Sequence, residues 1–250
     1  MPALRHIHED RRWTMVDQLQ QMPTDWNRAL AVVAHPDDVE FGAAGAVAAW
    51  TAAGKEVAYL LLTRGEAGVD AMEPDKAGEV RVAEQQASAA LVGVSDVEFL
   101  DYRDGIIEYT LGLRRDIASA LRRHRPELVI IFNHRDTFPG GKLNSPDHRH
   151  TGRAALDAIG DSGNRWIFGE DGLEPWGGVK YIAVAQSPQP THAVDIGATL
   201  DTAIASLEAH RSYLDGIGLG DVRRPFTAIA QSVGERFGGR PAIAFELIPR

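Results

Sequence analysis

Residues 30–40 of the chain read LAVVAHPDDVE, an apolar run followed directly by a histidine, a proline and a group of acids. A short, uninterrupted apolar run is typical of a strand that is buried on both faces of a parallel sheet. Polar groups that follow such a strand lie at its carboxyl end, where ligands bind in open α/β sheets. This stretch therefore predicts both the type of sheet and the edge that carries the site.

The apolar run at 30–34 is the first of several along the chain. Comparable runs, some of them weaker, occur at 57–63, 97–100, 128–132, 181–185 and 242–247. Helical spacing of apolar residues occurs between them at 43–53, 78–92, 113–124, 151–159 and 200–214. Strands that alternate with helices predict an α/β fold with a Rossmann-like, mostly parallel sheet and helices on both faces.

The length of 250 residues suits a single domain, which we place at 29–250. The polar and charged stretch 1–28 is expected to form an N-terminal arm or helix packed on that domain. Residues 160–179, rich in glycine, tryptophan and acid, break the alternation and predict an irregular excursion. A long segment of this kind is either functional or a packed surface loop.

The composition excludes several classes of function. The net charge of −9 repels phosphate backbones, so no nucleic-acid partner is expected. The chain has no cysteine, which rules out disulfides and cysteine-ligated metals. It shows neither the apolar core of a signal peptide nor an apolar stretch of about 18 residues, so we expect a cytoplasmic protein without a membrane partner.

A second polar cluster, NSPDHRHTG at 144–152, follows the predicted strand at 128–132 and precedes a helix. The carboxyl ends of two parallel strands can bring it beside the cluster at 35–40. Either cluster alone is better explained as a capped turn with solvated histidines. Together they predict a metal site, because burying so many acids without a cation is costly and His and Asp both suit zinc.

The segment AHPDDVEFGAAG at 34–45 resembles the AHPDD-x-E motif of the PIG-L/LmbE-like N-acetylglucosaminyl deacetylase superfamily. SPDHRHTGRAALDA at 145–158 is similar to the H-P-D-H-x-x-x-G element of the same superfamily. Three shorter segments also resemble motifs of this superfamily: TRGEAG at 63–68, RVAE at 81–84 and YRDG at 102–105. The resemblance covers residues 29–215 and implies a metal-dependent amidohydrolase that removes an N-acyl group, typically N-acetyl, from an amino sugar or related amine.

The resemblance also implies a set of catalytic roles. His35, Asp38 and His148 would hold one Zn²⁺ per chain and leave an open position for water. Asp37 would be the general base for that metal-bound water. A His/Asp donor set also suits iron, cobalt or manganese. The implied partner is a small N-acylated substrate, and a homo-oligomer stays open.

Other residues receive supporting roles from the same resemblance. Arg81 and Asp104 would contact the sugar, although a surface ion pair explains these two residues equally well. Glu40 would orient a ligand or a backbone group, and Asp147 would fix a ligand histidine from behind.

The chain departs from the family pattern at Ser145, where the H-P-D-H element has a histidine that is thought to help stabilise the oxyanion. Ser145 supplies a neutral hydrogen bond near the substrate, or another residue such as His134 takes over the task. His192, which follows the predicted strand at 181–185, could also face the site, although a lone loop histidine is usually solvated.

Three alternative functions are compatible with parts of the sequence. A nucleotide-binding Rossmann module is disfavoured, because no G-x-G-x-x-G follows the first strand and acids there repel a pyrophosphate. A sugar-binding protein without activity does not need the base Asp37. The same hydrolysis of a non-sugar or thiol-conjugate amide stays open, and 160–179 is the segment expected to decide it.

Overall fold

The computed structural model describes residues 18–250. Within them, one sheet contains the strands β1 (Gln20–Gln21), β2 (Arg28–Val33), β3 (Glu56–Leu61), β4 (Asp96–Phe99), β5 (Leu128–Phe132), β6 (Tyr181–Ala185), β7 (His192–Asp195) and β8 (Ala242–Pro249). The α-helices are α1 (Asp38–Gly42), α2 (Ala44–Ala52), α3 (Pro74–Leu91), α4 (Leu111–His124), α5 (Pro146–Ser162), α6 (Leu200–Glu208), α7 (Arg211–Gly216) and α8 (Arg223–Glu235).

The strand order is β1-β7-β8-β6-β5-β2-β3-β4. Every pairing is parallel except those that β8 makes with β6 and β7. β2 pairs with β3 on one side and with β5 on the other, so the order of the strands reverses between β2 and β5. Ligands of doubly wound sheets bind at this reversal, outside the carboxyl ends of the strands.

Both faces of the sheet are covered, which explains why the central strands are apolar without alternation. Ala29, Ala31 and Val33 of β2 pack in a core shared with α2 and α3. Leu30 and Val32 face the opposite core, which is shared with α4 and α5. The predicted α/β sheet with helices on both faces is confirmed.

The C-terminal third departs from the predicted elements. The helix predicted at 200–214 is divided into α6 and α7, with His210 between them. The short strand β7 and the helix α8 were not predicted, and β8 runs antiparallel to its neighbours. Of the predicted N-terminal arm, 1–17 lies outside the described residues, and Gln20–Gln21 forms an edge strand beside β7.

The excursion at 160–179 lies at the amino ends of the strands, opposite the predicted site. It contains the end of α5 and one 3₁₀ turn, Gly169–Asp171. The indole of Trp176 donates to the carbonyl of Pro126 just before β5 (2.7 Å), and the Arg122 guanidinium donates to backbone carbonyls of the segment. The segment therefore lies away from the candidate site of this chain, and its expected role in deciding the substrate stays a prediction.

Within residues 18–250, no helix combines the length and the apolar character that crossing a membrane requires.

Candidate metal centre

Three of the predicted residues bring donor atoms to one point at the reversal between β2 and β5. The Nδ1 atom of His35 lies 3.2 Å from Nε2 of His148, and that Nε2 lies 3.0 Å from Oδ1 of Asp38. His35 Nδ1 is 3.7 Å from Oδ2 of Asp38. Donors on a tetrahedral zinc, with bonds of about 2.1 Å, are separated by about 3.4 Å. The spacing of the three side chains therefore fits one ion of this kind.

The tautomers of the two histidines also indicate a metal site, independently of the distances between the donor atoms. Nε2 of His35 faces carboxylate oxygens of Asp104 (3.1 Å) and Asp147 (3.2 Å). Nδ1 of His148 faces Oδ1 of Asn144 at 2.8 Å. Since these partners only accept, each ring carries its hydrogen on the outward nitrogen when it is neutral. Two lone pairs and a carboxylate then point at one another, which is an arrangement that a cation stabilises.

Asp147 links three segments around His35. Its Oδ2 accepts from the backbone N–H of Gly105 (2.7 Å) and its Oδ1 from that of Ile107 (3.1 Å), while Oδ2 also faces His35. The loop before α4 is thereby fixed to the start of α5 and to the end of β2. Contacts of this kind hold a ligand ring in one orientation. This location suits the supporting role that was predicted for Asp147.

Asp104 lies against His35, and its predicted contact with the sugar stays a prediction. Its carboxylate accepts from the backbone N–H of Ala67 (2.9 Å) and contacts His35, and its side chain is 8% exposed. The two acids Asp104 and Asp147 thus share the outward nitrogen of one histidine. Asp104 supports the ring of His35, and little of its surface is left for a substrate hydroxyl.

Asn144 was not among the predicted site residues. Its side-chain nitrogen donates to the carbonyls of Asn133 (2.6 Å) and Arg135 (2.9 Å), which fixes the direction of the amide. Its oxygen therefore faces His148 and also accepts from the N–H of Ser145 (2.9 Å). The sequence signal was an asparagine four residues before a ligand histidine, which is indistinguishable from an ordinary turn before a helix.

Asp37 occupies a strained backbone position. Its φ of 95° lies in the left-handed region, which a residue other than glycine rarely adopts. Its Oδ2 accepts from Nη2 of Arg81 (2.9 Å), and the same guanidinium donates to the carbonyls of Pro36 and Gly65. Arg81 is 2% exposed and stacks on the ring of Tyr213. The guanidinium of Arg81 thus lies behind Asp37, between the two turns that contain Pro36 and Gly65, and its predicted contact with the sugar stays a prediction.

The remaining predicted residues take structural positions near the centre. Glu40 is fully buried and accepts from Gln85 and Ser88. Ser145 is the N-cap of α5, and its Oγ accepts from the N–H of His148 (3.1 Å). His150 points elsewhere, with Nδ1 on the carbonyl of Ile107.

Neither of the two alternative histidines joins the cluster. His134 packs against Gly152, and its charged neighbours are Arg135, Glu246 and Arg153. His192 contacts the hydroxyl of the adjacent threonine at the start of β7.

The pKa shifts describe a site that favours positive charge. Burial alone would lower the pKa of His35, but its contacts to Asp104, Asp147 and Asp38 raise that pKa well above the ordinary value. Burial would raise the pKa of Asp38, yet the adjacent His148 and His35 hold it well below its usual range. Burial raises the pKa of Asp37 to about 7, with Arg81 acting in the opposite direction. A divalent cation can take the place of the proton that this environment retains on His35.

Comparison with known proteins identifies the family. Residues 30–159 match the PIG-L family, GlcNAc-PI de-N-acetylase. The chain belongs to the PIG-L family. The matched range contains both polar clusters and every residue of the candidate metal centre. The predicted family and the predicted class of enzyme, an N-deacetylase, are confirmed.

Relatives of this PIG-L family member extend the similarity over most of the chain. Diacetylchitobiose deacetylase from Thermococcus kodakarensis is 27% identical over 231 residues, which cover 90% of this chain and 84% of the relative. The structure of N,N'-diacetylchitobiose deacetylase from Pyrococcus horikoshii, complexed with its inhibitor MPG, has a TM-score of 0.82 and 28% identity. That alignment covers 90% of this chain and 85% of the other.

The same fold also occurs in an enzyme with another reaction. The 4-carboxy-2-hydroxymuconate hydratase GalB from Pseudomonas putida KT2440 aligns with a TM-score of 0.71 and 22% identity, covering 90% of this chain and 97% of that chain. At that identity the likeness concerns the fold alone. The reaction of this PIG-L family member must therefore be argued from its site.

Proposed function

We propose that this chain removes the N-acetyl group from a small amino sugar and that it uses one divalent metal, by default zinc, held by His35, Asp38 and His148. The observation that carries the proposal is the convergence of two imidazole lone pairs and one carboxylate oxygen within 4.8 Å of one another. The amino-sugar substrate is supported by the family and by the diacetylchitobiose deacetylases among its relatives.

When bound, the metal supplies a Lewis acid that polarises the amide carbonyl and makes water a stronger nucleophile. Asp37 is the base in this scheme, since it is the acid adjacent to the ligand Asp38. Arg81 binds Oδ2 of Asp37, so the proton taken from water is held at Oδ1. The water oxygen forms a bond to the amide carbonyl carbon, and the proton held on Asp37 passes to the nitrogen of the departing amine as the C–N bond breaks. The acyl group leaves as a carboxylic acid, which loses its own proton to solvent.

Arg81 also has an electrostatic role in this scheme. A guanidinium beside a buried carboxylate favours its charged form and opposes the effect of burial on the pKa of Asp37. Asp104, Asp147 and Asn144 act on the two ligand histidines, whose outward hydrogens they accept. The ligands are thereby held ready for the metal before it binds.

The proposal is tested by measuring release of free amine from a panel of substrates by the zinc-loaded protein. The panel contains N-acetylglucosamine, diacetylchitobiose, an N-acetylated thiol conjugate of an amino sugar, and an N-acetyl amino acid. We expect turnover of the sugars above that of the amino acid. The reverse order would favour the alternative of a non-sugar amide, and preference for the conjugate would favour the thiol-conjugate alternative.

The role of Asp37 is tested in the same assay. Asp37→Asn should retain zinc, measured by elemental analysis, and lose about 10²- to 10⁴-fold in kcat. Asp101→Asn is the matched control, because the side chain of Asp101 is 87% exposed and contacts Arg64 on the surface. Undiminished turnover by Asp37→Asn would refute the proposed base.

A further inference from the structure

A row of buried polar side chains on α3 faces the turn that contains Asp37. Arg81, Gln85 and Ser88 are spaced four and three residues apart, so they lie on one side of the helix. All three are buried, at 2%, 0% and 0% exposure. Buried polar groups require partners, and each of these three side chains has one in the segment 36–40.

Gln85 makes the contact that acts on the backbone of the turn. Its Oε1 accepts from the backbone N–H of Asp37 at 3.0 Å, and its Nε2 donates to Oε1 of Glu40 at 3.0 Å. Glu40 fixes the direction of the amide, because its Oε1 also accepts from Ser88 and therefore requires the NH₂ group of Gln85. The oxygen of Gln85 then necessarily faces Asp37.

Glu40 is itself held from two further sides. Ser88 Oγ donates to its Oε1 at 2.8 Å, and Nε2 of His210, between α6 and α7, lies 3.4 Å from its Oε2. Glu40 and His210 both have side chains that are 0% exposed. The orientation of Gln85 is thus determined by a carboxylate that cannot turn towards solvent.

We propose that Gln85 is a positioning residue for Asp37, with Glu40 as the group that orients it; this inference rests on the proposed role of Asp37 as the base. The left-handed φ of Asp37 is unfavourable for an aspartate and persists only where the surroundings determine it. Gln85 satisfies the N–H that this conformation turns inward, while Arg81 holds the carboxylate. The amide hydrogen bond of Gln85 sets the backbone, and the guanidinium of Arg81 sets the side chain.

The first experiment needs no turnover. Hydrogen exchange of the Asp37 amide is measured by NMR in the wild type, in Gln85→Met and in Gln86→Met. Gln86 is the matched control, because it is the next residue on the same helix and is exposed. We expect the Asp37 amide to be protected in the wild type and in Gln86→Met, and to exchange at least tenfold faster in Gln85→Met. Unchanged protection in Gln85→Met would overturn the proposal, whatever the protein hydrolyses.

The second experiment separates positioning from general stability by its kinetic pattern. Gln85→Met should lower kcat by about 10- to 100-fold while KM, zinc content and the Co²⁺ absorption spectrum stay close to those of the wild type. In the Asp37→Asn background the same substitution should have little further effect, because Gln85 acts through Asp37. Equal losses in both backgrounds would overturn the proposal.

An exchange of the two side chains provides a rescue. Gln85→Glu alone sets two buried carboxylates against each other and should lower both stability and kcat. Adding Glu40→Gln restores one amide and one carboxylate in contact, so part of kcat and of the thermal midpoint should return. If the double variant recovers its thermal midpoint but its kcat stays as low as that of Gln85→Glu, the role given to Glu40 is contradicted. If the wild type hydrolyses none of the substrates, the proposed function is contradicted. The hydrogen exchange of the Asp37 amide then still tests the role of Gln85, because that measurement needs no turnover.

Discussion

Nδ1 of His35 lies 3.2 Å from Nε2 of His148, although the other nitrogen of each ring is engaged by an acceptor. Neither facing nitrogen of a neutral ring therefore has a hydrogen to offer its neighbour. One cation between the two nitrogens, which are 113 residues apart in the chain, would bind both lone pairs and replace the proton that the acids around His35 otherwise retain.

His148→Ala should lose most bound zinc, because it removes one of three donors from the cluster. His150→Ala is the matched control, since this histidine lies two residues along the same helix and binds the carbonyl of Ile107. Elemental analysis of dialysed protein measures both variants. Full stoichiometric zinc in His148→Ala would show that the ligand assignment is wrong.

Asn144→Ala should weaken zinc binding by about 10- to 100-fold, because His148 loses the acceptor that fixes its tautomer. Competition with a chromogenic chelator measures the affinity. Asn164→Ala, at an exposed asparagine of the excursion at 160–179, should leave it unchanged. Equal affinities in the two variants would remove Asn144 from the metal centre.

Ser145→Ala should destabilise the protein by about 1 kcal/mol, because Ser145 caps α5 through the N–H of His148. Urea unfolding measures the loss, and Ser145→Thr should recover most of it. Zinc content should be retained and kcat should fall only modestly. A loss of several orders of magnitude in kcat would instead give Ser145 the oxyanion role of the family histidine that it replaces.

Glu98 on β4 predicts a dependence of stability on pH away from the metal centre. The hydrogen bond from His124 lowers the pKa of Glu98 to about 2, with burial opposing and Arg123 assisting. A carboxyl whose pKa is lower in the folded state stabilises that state above its unfolded pKa of about 4.5, and this contribution is lost as the pH falls towards 2. Glu98→Gln should therefore be less stable than the wild type at pH 6 by up to about 1 kcal/mol, since the pair is partly exposed. Urea unfolding between pH 6 and pH 3 measures the difference in the free energy of unfolding between the two proteins. If this difference grows as the pH falls, the lowered pKa of Glu98 is contradicted.

The sequence predicted those elements whose pattern of apolar residues is sufficient to identify them. Uninterrupted apolar runs at 128–132 and 181–185 coincide with β5 and β6, because a strand buried on both faces has no alternation to obscure it. Elements whose identity depends on distant partners were missed. The four residues of β7 become a strand through pairing with β1 and β8, and nothing local in HAVD predicts that.

The same distinction applies to the site. The acids and histidines at 35–40 and 144–152 could be recognised, since their side chains are chemically unusual at strand ends. Asn144 and Gln85 could not, because an amide has a role only once its neighbours fix which end donates. Arg81 and Asp104 were expected to contact the sugar, and nothing in the sequence indicated that their side chains also lie against Asp37 and His35.

The left-handed backbone of Asp37 and its ion pair with Arg81 act on stability in opposite directions. Its φ of 95° costs an aspartate about 1–3 kcal/mol, whereas glycine adopts that conformation freely. Asp37→Gly would relieve this strain, but it would leave the guanidinium of Arg81, which is 2% exposed, without its carboxylate, and breaking a buried ion pair in this way costs about 3–5 kcal/mol. Selection for heat resistance should therefore keep at position 37 a side chain that can accept from Arg81, even though the backbone there suits glycine best.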